Sequence, residues 1–68
     1  MIIEIAYVEQ SGLGPWQKIS KTELIKRATS YIVAYRKDPQ FIQDIIRASE
    51  RWDTGLRISP YVFARIKI

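Results

Sequence analysis

Two glycines, then a lysine and a threonine at the start of a helix, are residue types that can hold a phosphate. The chain offers that combination once, in Ser11-Gly12-Leu13-Gly14-Pro15 running on to Ser20-Lys21-Thr22. A nucleotide-binding loop needs Gly, four residues, then Gly-Lys-Ser/Thr, so that successive amides wrap the phosphates at a helix N-terminus. If Lys21-Thr22 are its last two letters, the glycines fall due where Pro15 and Ser20 stand. The proline also removes an amide. The dinucleotide fingerprint fails too, because Gln17 occupies the place of its third glycine. The stretch reads as a turn followed by a helix cap, and what survives is general: first-turn amides with Lys18 and Lys21 beside them attract anions.

Acid–base catalysis needs a histidine, or two carboxylates whose surroundings separate their pKa values. The chain contains no histidine and no cysteine, which removes the usual transition-metal ligands and any disulfide as well. Of its seven acids, Glu23 and Asp38 stand at helix starts as caps, and Asp44 and Glu50 pair with Arg47 and Arg51 along a helix surface. Glu4, Glu9 and Asp53 are scattered. No nucleophile has a visible base, so the expectation is a protein that is not an enzyme and uses no cofactor or metal.

The elements that carry these residues belong to one small domain covering 1–68. A chain of 68 residues buries only about 60% of its unfolded surface, so its stability rests on tight packing or on association, and a homodimer is among the expected states. A hydrophobic share of 47% with 26% charged residues is that of a folded soluble domain. No apolar run nears the roughly 18 residues of a membrane span. Met1 to Tyr7 carry an acid where a leader would carry bases. The expected setting is cytoplasmic, away from membranes.

Ile2 to Gln10 alternates as a strand, with Ile3, Ile5 and Tyr7 on one side and Ile2, Glu4, Ala6 and Val8 on the other. Both sides are mostly apolar, which places it inside a sheet. After the glycine turn, Trp16 to Ile19 completes a hairpin. Ser20-Lys21-Thr22-Glu23 is a capping box and opens a helix whose stripe is Leu24, Ala28, Tyr31 and Tyr35, widened by Ile25 and Ile32. Asp38-Pro39 ends it and starts a second helix, Pro39 to Trp52, with Phe41, Ile45, Ala48 and Trp52 on its inner line and Gly55 as its stop. Leu56 to Ile68 returns to strand, divided by Pro60 into a short arm near an edge and a main strand. The sum is an α+β fold, approximately ββααβ, with two helices packed on one face of a small antiparallel or mixed sheet and with the first and last strands paired.

Two surfaces could bind a macromolecule. Val33 lies opposite the apolar stripe of the first helix, and Ile42 and Ile46 widen the second helix beyond what one core needs. With Trp16 as an anchor, these four form the expected contact for a protein partner, making the chain an inhibitor, adaptor or small subunit. The alternative is nucleic acid, favoured by a net charge of +4 and served by Lys26, Arg27, Lys37, Arg65 and Lys67 with the sheet aromatics Tyr61 and Phe63. The positive residues read as a scatter along the chain rather than a patch, and the tyrosine and phenylalanine read as core. Salt separates the two readings, because contact with phosphates weakens as salt rises and an apolar contact persists.

Overall fold

The structure is a computed structural model that describes residues 1–31 and 40–68. Ile32, Val33, Ala34, Tyr35, Lys37, Asp38 and Pro39, on which parts of the sequence reading rest, lie outside the described residues. The first strand, β1, Ile2–Glu9, is followed by two short strands, β2, Gly12–Leu13, and β3, Gln17–Lys18. Helices α1, Lys21–Tyr31, and α2, Phe41–Arg51, precede β4, Leu56–Ser59, and β5, Val62–Lys67. All pairings among the described residues are antiparallel, and the sheet order is β2-β1-β5-β4, with β3 also against β1.

The first and last strands lie side by side at the sheet centre, in register from Ile2↔Lys67 to Tyr7↔Val62. Side chains alternate between faces along a strand, so this register divides the residues into two sets. Ile3↔Ile66, Ile5↔Ala64 and Tyr7↔Val62 point to the helices. There Ile3, Ile5, Val62, Ala64 and Ile66 join Leu24 and Ala28 of α1, Phe41 and Ile45 of α2, and Ile58 of β4 in one core. Ile2↔Lys67, Glu4↔Arg65 and Ala6↔Phe63 point the other way. The expected α+β layer is present, with both helices on one face.

Local chemistry explains the element ends. The Glu23 amide donates to Ser20 Oγ at 3.1 Å, which is the serine half of the capping box. The Glu23 carboxylate turns instead to Arg27, one helical turn on, at 2.7 Å. That contact holds Glu23 below the usual glutamate range, chiefly through the hydrogen bond from Arg27. Its stabilising share is therefore present at neutral pH and fades as acid protonates the carboxylate. Arg27 also donates to the hydroxyl of Tyr7, tying α1 to β1.

Three expectations are corrected. The hairpin partner of β1 is not one strand from Trp16 to Ile19: it is broken into β2 and β3, because Pro15 has no amide to give the ladder and Gly12 turns through φ 121°. Trp52 leaves the inner line of α2, because the chain becomes extended there (φ −132°, ψ 139°) and the indole ends 55% exposed. Gly55 is not the helix stop, since the Trp52 amide already closes α2 on the Ala48 carbonyl at 2.7 Å. The glycine serves the turn into β4: its φ is +67°, and a β-carbon there would run into the Ala64 carbonyl of β5. The short arm expected near an edge before Pro60 is β4, a four-residue edge strand with a bulge between Arg57 and Ser59.

Gly55→Ala is expected to destabilise the fold by at least about 1–2 kcal/mol, since it combines a left-handed backbone with a backbone collision. A thermal melt checks this, and an unchanged midpoint would contradict the close approach of the turn to β5.

Candidate functional site

The face of the sheet that carries no helix among the described residues, the helix-free face, is built by the second set of alternating residues. Its central row runs across the strands from Arg57 through Phe63 to Ala6. The register Ile5↔Gln17, carried one residue on, sets Trp16 beyond Ala6. The next row holds Lys18, Glu4 and Arg65, and the one after it holds Ile2 and Lys67. At the other end, Leu13 and Val8 pair, and the Val8 amide donates to the Tyr61 carbonyl at 2.7 Å. Tyr61, Phe63, Arg65 and Lys67 thus share one side of the last strand, and Tyr61 is 70% exposed.

Aromatic rings and guanidinium groups meet on this face. The Arg65 guanidinium carbon lies 3.9 Å from the centre of the Trp16 ring, and that of Arg57 lies 5.1 Å from the centre of the Phe63 ring. Such contacts are attractive by about 0.5–2 kcal/mol, depending on burial. Arg65 is fixed from two further sides. Its Nε donates to Glu4 Oε1 at 3.0 Å, and its Nη1 donates to the Asp53 carbonyl at 3.3 Å. The Glu4–Arg65 side chains are only 16% and 20% exposed, so this ion pair is shielded from water more than a surface pair is. Ala6 points to this face yet has no exposed surface, so its cover comes from the larger side chains around it. A small residue at the centre lets Trp16 and Phe63 flank it.

Electrostatics distinguish the two faces. Among the described strand residues, the helix-free face presents Lys18, Arg57, Arg65 and Lys67 against the carboxylate of Glu4, with Asp53 beside Arg65 at its edge. On α2, by contrast, Arg47 and Arg51 are matched by Asp44 and Glu50. The scatter of positive residues along the sequence therefore becomes, in part, a patch in space.

The expected contact sets are rearranged. Trp16 belongs to the helix-free face, whereas Ile42 and Ile46 are half-buried on α2 against the core, so these three do not form one surface. Val33 lies outside the described residues. Ile46 instead borders a groove of about 400 Å³ between α2 and the end of β5, with Ser49, Ile66 and Ile68. In the nucleic-acid set, Lys26 and Arg27 stand on α1, across the sheet from Phe63 and Arg65. Lys37 lies outside the described residues. Tyr61 and Phe63 are not core, as read from the sequence, because the register turns them away from the helices. Tyr7 is on the helix side, where it packs against the core.

Sequence reasoning missed Arg57, Lys18 and Glu4 as members of the site. Lys18 and Glu4 had no visible link until the hairpin register placed them opposite one another. Ser49 was missed as well, and it holds α2 to the sheet. Its Oγ donates to the Ile45 carbonyl at 2.6 Å and accepts from the Ile66 amide at 2.9 Å.

Among the described residues no cluster of acids is placed to hold a metal ion, and no helix is long and apolar enough to cross a membrane. Comparison of the chain with family models, with curated proteins and with solved structures finds no match.

A double-mutant cycle of Glu4→Gln and Arg65→Met is expected to return a coupling of about 1 kcal/mol or more in folding stability, above the level of an exposed pair. A coupling indistinguishable from zero would show that Arg65 is not anchored as described.

Proposed function

We propose that the protein is a small non-catalytic module that binds nucleic acid through the helix-free face of its sheet. The observation that carries this reading is the gathering there, among the described strand residues, of four cations with two ring–guanidinium contacts and the one strand carboxylate of Glu4. A positive, aromatic surface suits a polyanion whose bases have π-faces. It does not suit a second copy of itself, because two such faces would repel one another on approach. Of the two occupants expected from the sequence, nucleic acid fits this surface better than a protein does. Lys18 and Lys67 supply the phosphate contacts, Arg57 and Arg65 the guanidinium planes beside the rings, and Trp16, Phe63 and Tyr61 the rings.

A protein partner remains the second reading, and the groove beside Ile46 supports it. Its lining joins Ile46, Ile66 and Ile68 with Ser49, Glu50 and Lys67. Contact there would hold at high salt and would be weakened by Ile46→Asp.

Binding of a labelled oligonucleotide by fluorescence anisotropy tests the first reading. With about two phosphate contacts from the lysines, and up to about four if the arginines join them, affinity should fall with salt at a logarithmic slope of about −1.5 to −3. The double change Lys18→Glu, Lys67→Glu should reduce affinity at low salt by roughly tenfold or more, whereas Lys26→Glu on α1 should leave it near the parent value. Failure of the parent protein to retain any oligonucleotide at low salt would end this reading.

A further inference from the structure

The same face carries more than charge. Trp16 and Phe63 lie in one cross-strand row with Ala6 between them. Neighbouring strands are about 4.8 Å apart, so the two rings spring from backbones separated by roughly 10 Å. Each has a guanidinium over it, at 3.9 Å for Trp16 and 5.1 Å for Phe63. Aromatic rings and arginine planes are the two surfaces on which unpaired bases stack. Arg65 is held in place by Glu4 and by the Asp53 carbonyl, so its plane is oriented before any ligand arrives.

Duplex nucleic acid does not use such a site. Its bases are stacked on each other, and its major groove admits a helix or a two-stranded ribbon rather than the flat middle of a broader sheet. Bases that reach Trp16 and Phe63 must be splayed from a single strand. The nearby lysines extend the site in the direction a backbone would take: Lys18 lies one row from Trp16, and Lys67 lies two rows from Phe63 along β5.

We infer that the Trp16–Ala6–Phe63 row is a two-base stacking site for single-stranded nucleic acid, one base at the Trp16/Arg65 stack and one at the Phe63/Arg57 stack, with Lys18 and Lys67 on the flanking phosphates. This rests on the nucleic-acid reading above and names the class of strand that the face takes. Ala6 lies beneath the side chains of this row, with no surface of its own exposed, and a larger residue there would wedge the rings apart.

The test uses the full chain carrying Trp52→Phe, which leaves Trp16 as its one tryptophan. Three probes are titrated at low salt while indole fluorescence is followed: an oligothymidylate of about a dozen nucleotides, an abasic strand of the same length and charge, and a blunt duplex of that length. The expected result is quenching of Trp16 by the oligothymidylate, with affinity about tenfold or more above that for the abasic strand and the duplex. Phe63→Leu should lower the oligothymidylate affinity by about 5- to 150-fold, the loss of one stacked base. It should leave abasic-strand binding unchanged. Equal binding of all three probes would overturn the stacking site while leaving the phosphate-binding reading standing. Binding of none would overturn both and return the search to a protein partner. The comparison of probes on the Trp52→Phe chain needs no further variant, so it decides the matter even where Phe63→Leu fails to fold.

Discussion

The antiparallel pairing of β1 with β5 sets everything else in this molecule. It joins the two most distant parts of the sequence at the centre of the sheet, and its register decides which residues meet the helices. A slip of one residue would exchange the faces, turning Glu4, Arg65 and Lys67 into the core and Ile3, Ile5 and Ile66 into solvent. The apolar set is what pins it. Ile5 and Ala64 face each other with no exposed surface, and Ile3 sits against Ile66. The hydrophobic demand of one side thereby places every charged and aromatic residue on the other.

That second face then organises itself by electrostatics. Four cations on one small surface repel one another, and the arrangement offsets this in two ways. Glu4 takes the central position beside Arg65, where a carboxylate counts most, and the indole of Trp16 lies beneath the same guanidinium. Arg65 thus links β1, the segment before β3, and the turn after α2 through one side chain. On the opposite layer, Ser49 of α2 performs the matching task for the backbone. It accepts the Ile66 amide beyond the end of β4, whose pairing with β5 stops at Leu56↔Ala64. A 68-residue chain has little core to spare, and these two side chains extend its cohesion to regions the core does not reach.

Much of the frame was legible in the sequence. The alternation of Ile3 and Ile5 against Glu4 and Ala6, and of Val62, Ala64 and Ile66 against Phe63 and Arg65, follows from the two-residue period of a strand. Ser20 announced α1 through its cap. The splitting of the hairpin was harder, since Gly12, Gly14 and Pro15 specify a turn without stating how many residues before and after it still pair. The site was less legible than the fold for a plain reason: its members are partners across strands, not along one. Nothing local in Trp16 points to Arg65, nor in Arg57 to Phe63. Even Tyr61 and Phe63 carry apolar bulk that suits a core as well as an open face, and only the register of β1 against β5 separates the two. Trp52 misled for the opposite reason. It keeps the helical spacing of Phe41, Ile45 and Ala48, yet the helix stops one residue short of it.

The proposed seat of nucleic acid is the face without helices. Amide and indole chemical-shift mapping of the labelled chain with an unlabelled single strand tests it residue by residue. Perturbations centred on Trp16, Lys18, Arg57, Phe63, Arg65 and Lys67, with Ile42 and Ile46 of α2 unmoved, are the expected pattern. Shifts confined to the helices, or none at saturating strand, would contradict it.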